Sequence, residues 1–153
     1  MKTVMMMILA LTSTSAMAND GTLLSFTYSN GSVAPAFHRT QTCNISATST
    51  HLMSQGPTVD FPHEMSKETI FTQTIPNVTV LKSLISEAAQ HETAYNPARI
   101  GGQMSRYTAP MSANKELVLL VMDGDLVQAK NPSTAAAELV DFIKLNCTIF
   151  TIQ

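Results

Sequence analysis

Cys43 and Cys147 are the only cysteines in the chain and sit near opposite ends of its foldable part. A bond between them ties an early segment to the last few residues and excludes any fold that leaves those ends far apart. Closing a loop of about a hundred residues contributes up to about 4–5 kcal/mol in the chain-entropy description. A nucleophilic cysteine served by His38 or His91 is one alternative, and two free buried thiols are another. Neither cysteine stands beside a cation or at an evident helix start, the settings that generate a reactive thiolate. The pair therefore reads as structural, provided that the compartment is oxidising.

The first eighteen residues, MKTVMMMILALTSTSAMA, supply that proviso. Lys2 is a charged start, Val4 to Leu11 an apolar middle, and Ala16-Met17-Ala18 a small-x-small cleavage signal before Asn19. The apolar run is well short of the roughly twenty residues of a bilayer span. The reading is a signal peptide over 1–18 and a single exported domain over 19–153, periplasmic or secreted, with no membrane insertion. Five of the ten methionines leave with the leader, and the rest are scattered packing residues rather than a soft-metal motif. Without Lys2, eight basic side chains face eleven acidic ones. That balance, with no basic stripe, argues against nucleic acid and against docking on anionic lipid.

Periodicity then sets the fold class. TLLSFTYS (22–29) alternates Leu24, Phe26 and Tyr28 with polar residues, as a half-buried strand does. Asn30-Gly31 turns the chain, Pro35 lies in the loop, and 37–49 returns with Phe37, Arg39, Gln41, Cys43 and Ile45 on one face. At most a brief edge strand is expected around Thr58 to Phe61, and a firmer one over Glu68 to Ile75. Pro76-Asn77 then offers a helix cap. Leu81, Leu84, Ile85 and Ala88 form an amphipathic stripe. ELVLLVMDGDLVQAK is a hairpin about Asp123-Gly124, its first arm apolar enough to be covered on both faces. Asn131-Pro132 opens a second helix with its stripe at Ala136, Leu139, Val140 and Ile143, and Cys147 to Ile152 is strand-like. These elements predict an α+β domain: an antiparallel sheet of five or six strands with two helices packed on it. The expected core is Leu24, Phe26, Ile45, Leu81, Leu84, Ile85, Leu119, Val121, Leu139, Val140 and Ile143.

Catalytic and metal signatures are weak. Asp123-Gly124-Asp125 lacks the further oxygen ligands of a calcium loop. His63-Glu64 and His91-Glu92 lack the second histidine of a zinc helix, and Gly31-Ser32 has no nucleophile elbow around it. No metal or cofactor is expected, and no catalytic residue can be named. Four Asn-x-Ser/Thr triplets begin at Asn30, Asn44, Asn77 and Asn146, a pattern that a chain rich in Ser and Thr produces by chance.

The stretch 93–115, with two prolines, Gly101-Gly102 and no clear period, reads as a long loop, and such loops are commonly functional. It carries Arg99, Arg106 and Tyr107, residue types that anchor interfaces; the hairpin loop 30–39 carries His38 and Arg39. These five residues are the candidate binding site. The function expected is recognition of another exported or envelope protein through loops 30–39 and 93–115. A small secreted hydrolase, a passive envelope-associated protein and a protease-inhibitor loop around Arg99-Ile100 are the other readings.

Overall fold

A computed structural model describes residues 21–31, 38–56, 66–72, 75–96, 102–112 and 115–147. Strand β1 (Thr22–Ser29) turns its Leu24 and Phe26 inward, as the alternation requires, and pairs antiparallel with β2 (Thr40–Ser46), which presents Cys43 and Ile45. The neck of their connection is held by the backbone bond from Asn30 N to Arg39 O (3.2 Å) and by Arg39 N donating to Asn30 Oδ1 (2.8 Å). Ser46 closes the next turn, its Oγ accepting from Ser49 N at 3.0 Å. Strands β3 (Ser49–Gln55) and β4 (Ser66–Thr72) extend the meander.

Helix α1 (Val78–Ala88) follows, burying Leu81, Ile85 and Ala88. Asn77 occupies its N-cap in a left-handed conformation but makes no side-chain capping bond, contrary to the expectation from Pro76-Asn77. The second half repeats the plan of the first. After the two-residue strand β5 (Ala94–Tyr95), a meander of β6 (Met104–Ser112), β7 (Lys115–Asp123) and β8 (Leu126–Lys130) leads into helix α2 (Thr134–Cys147). The meanders join through antiparallel pairing of β1 with β6, giving one eight-stranded sheet in the order β4-β3-β2-β1-β6-β7-β8-β5.

The count of five or six strands is thus corrected to eight. Strand β3 was missed because its buried alternation is Thr50 and Leu52, which reads as polar. Strand β6 was missed because Tyr107, Thr108 and Ala109 are buried in succession around a bulge, which erases the period of two. Cys147 ends α2 instead of opening a strand. The leader 1–18, the segment Thr58 to Phe61 and residues 148–152 lie outside the described residues.

Helix α2 crosses the strands. It begins beside β8, where Asn131 N donates to Leu119 O at 3.0 Å, and ends at β2 through the Cys43–Cys147 disulfide. Fourteen residues span about 21 Å, matching the four strand spacings of about 4.8 Å from β8 to β2. Its start is capped by Ser133, whose Oγ accepts from Ala136 N at 3.1 Å. Behind the cap, Asn131 is 1% exposed. Its Nδ2 donates to Ala88 O (2.9 Å) and His91 O (3.1 Å), and its Oδ1 accepts from Ser133 N (3.1 Å) and Ser133 Oγ (2.7 Å). One side chain thereby joins the end of α1 to the start of α2, and all its hydrogen-bonding capacity is used.

The core lies between the helices and the inner sheet face, with Leu24, Ile45, Leu119, Leu139 and Ile143 almost wholly excluded from water. Every expected core residue is buried except Leu84, which packs partly buried against the rest. Val121 belongs to a smaller cluster with Val118 and Ala129. β7 is therefore covered on both faces, as its unbroken apolar run implies.

Candidate binding surface

The register decides what each end of the sheet carries. Ser29, the last residue of β1, pairs with Thr40 on one side and Met104 on the other. The β1–β2 connection and the entry to β6 therefore open at the same end, joined there by the β7–β8 turn, since Met104 also pairs with Asp123. Two glycines keep this end tight. At Gly56 (φ 98°) a side chain would strike the His38 carbonyl, and at Gly102 it would strike the Asp123 carboxylate. Gly124 N donates to Gln103 O at 2.7 Å, fastening the hairpin tip to the strand entry.

Of the four predicted site residues that the structure describes, two stand at this end. His38 is exposed, its Nε2 3.4 Å from Ser29 Oγ. That separation is longer than a good hydrogen bond, and Ser29 Oγ also accepts from Gly31 N at 3.3 Å. Arg39 is half-buried and fixed through its backbone. Arg106 lies inside β6 instead of on a loop, level with Thr27 and Val121, and its guanidinium donates to Glu116 Oε2 at 2.6 Å. Arg99 lies outside the described residues.

Tyr107 is the correction. Sequence placed it on an exposed loop; the structure buries it on the inner face against Phe26, ring centroids 4.9 Å apart. Burial pushes its phenol above the ordinary value of 10.0. The ammonium of Lys144 lies 6.0 Å from its ring centroid, on the α2 side. Of the four that the structure describes, only His38 and Arg39 are therefore brought together.

The inner face also holds a groove that sequence reasoning missed. Leu120, Met122 and Val127 of the β7–β8 hairpin form its floor, Ala137 and Val140 of α2 its wall, and Lys130, Asp141 and Lys144 its rim. It measures about 230 Å³ and is open to solvent along one side. Its signal in the sequence is faint: the stripe Ala137, Asp141, Lys144 on the flank of α2 opposes Met122 and Val127 only once the sheet order is known. A second hollow of about 310 Å³ lies between α1 and the β1 and β6 strands, near Lys82, Ile85, Pro110 and Met111. Among the described residues no group of three or more His, Cys, Asp or Glu side chains is placed to hold a metal, and no helix is long and apolar enough to cross a membrane.

The chain matches no family model, no curated protein and no solved structure.

Proposed function

We propose that this chain is an exported recognition module, engaging another exported or envelope protein through the end of the sheet at which the β1–β2 connection, the β6 entry and the β7–β8 turn meet. The observation that supports it is the double pairing of Ser29 with Thr40 and Met104, which brings two segments distant in sequence to one edge. That edge mixes residue types suited to an interface. Met104 and Leu126 are exposed apolar side chains, 37% and 56% accessible, at the same end of the sheet as the polar His38 and Arg39. The strands and helices are committed to the core, so recognition at this end costs the fold little. A buried disulfide and a leader-like N-terminus fit an oxidising compartment.

The test compares the purified chain with a His38→Ala/Arg39→Ala/Met104→Ala/Leu126→Ala variant in quantitative capture from an envelope extract of the source cells. The expected result is a protein captured by the parent and depleted about tenfold with the variant, corresponding to about 1.4 kcal/mol, while the thermal transition is unchanged. Equal capture by both, or none by either, overturns the proposal.

A further inference from the structure

We infer that the groove between α2 and the β7–β8 hairpin is an anchor pocket for one aliphatic side chain of a protein segment that also carries acidic residues. This site is distinct from the sheet end described above, and either can fail without the other.

The size fixes the scale of the occupant. Ligand pockets for small molecules run from about 300 Å³ upward, whereas an apolar cavity of about 150 Å³ takes a benzene-sized group. At about 230 Å³ and open along one side, this groove takes the end of one Leu or Ile and leaves the rest of the ligand outside. A free fatty acid would keep most of its chain in water there. A polypeptide segment would lay its flanking residues over Val127, which is 41% exposed.

Charge then selects the segment. On the rim Lys144 is paired with Asp141 at 3.8 Å, and Lys130 adds a second ammonium with no carboxylate of the lining assigned to it. This local excess of positive charge stands on a chain whose formal net charge is −2. The other acidic groups of the hairpin, Asp123 and Asp125, lie at its tip beyond Val127 and are not part of the lining. Acidic side chains flanking the anchor meet Lys130, while basic ones are repelled by it. The apolar floor supplies affinity and the rim sets preference.

The test measures fluorescence anisotropy of labelled peptides on the purified, disulfide-intact chain at low salt. One peptide carries a single Leu flanked by Asp and Glu; its controls replace the Leu by Ala, or the acids by Lys. The acidic Leu peptide should bind saturably, and each control should bind at least tenfold more weakly. Ala137→Phe adds a ring at an exposed helix position facing the groove and should abolish binding with the thermal transition retained. Lys130→Glu should weaken binding about tenfold, and Lys82→Glu on α1 should leave it unchanged. No saturable binding, equal binding of the basic peptide, or indifference to Ala137→Phe overturns the inference. Displacement by octanoate with equal or better affinity overturns it too, since the occupant would then be a free aliphatic acid.

Discussion

Replacing Asn131 by alanine tests the joint between the helices. The substitution removes two donated bonds, to Ala88 O and His91 O, and two accepted ones, from Ser133 N and Ser133 Oγ. Each buried hydrogen bond contributes on the order of 1 kcal/mol net, and a stranded buried donor such as the Ser133 amide costs more than its share. Ala88 O keeps a partner in His91 N, at 3.1 Å, which limits the damage on that side. The expected loss is therefore about 3–4 kcal/mol. With an unfolding entropy of about 2.1 cal/mol/K for each of roughly 130 residues, this lowers Tm by about 11–15 °C. Urea unfolding followed by circular dichroism measures the free energy, and amide exchange in the last turn of α1 reports whether the joint has opened locally. Asn131→Asp separates hydrogen bonding from shape: it keeps the outline but turns an acceptor toward two carbonyl oxygens, so it should destabilise at least as much as alanine. If Asn131→Asp is as stable as the parent, or Asn131→Ala loses less than about 1 kcal/mol, the joint does not hold the helices as described.

Cys43→Ser and Cys147→Ser should each cost about 2–5 kcal/mol, and the double variant should be no worse than either single one, since the same bond is lost; alkylation of the unreduced native chain should add no mass, and reduction should expose two thiols. Folding holds Tyr107 in its protonated form, so its contribution is complete below its ordinary value of 10.0 and is lost as the pH rises through the elevated native one; an ultraviolet titration should show a phenol phase above 10.0 that Tyr107→Phe removes. A double-mutant cycle on Arg106 and Glu116, both more than two-fifths exposed, should yield about 0.2–1 kcal/mol, shrinking as salt is added.

What could be read in advance was whatever the chain states locally. The stripe of α1, the hairpin at Asp123-Gly124 and the alternation of β1 each declare a conformation within ten residues; the structure has all three, with the hairpin's two turn residues one position further on, at Gly124-Asp125, because Asp123 still pairs with Leu126. The disulfide was legible for a different reason, because two cysteines admit one intramolecular pairing. Strands defined by their neighbours were not legible. Thr50 is buried only because β2 and β4 flank it, and Pro110 is accommodated in β6 beside a shifted register that no local pattern announces. Tyr107 shows the cost at the site: an aromatic next to an arginine, in a stretch without period, looks like an interface anchor until the β1 pairing turns it toward Phe26. The groove was invisible for the same reason, since its two walls meet only through the sheet order.

The helix laid across the sheet also bears on how the chain is made. Phe26 faces Tyr107 across the central strand pair, and Cys43 waits for Cys147, 104 positions later. A polypeptide emerging N-terminus first, from a ribosome or a membrane pore, can hairpin β1 through β4 early. The inner face of that meander, met first by α1, is not fully covered until α2 arrives. Closing the core therefore waits on a long-range contact, because the helix bonded to β2 emerges 104 positions after it. A stop codon before Thr134 would accordingly yield not a shortened domain but a chain whose earliest strands never acquire that roof.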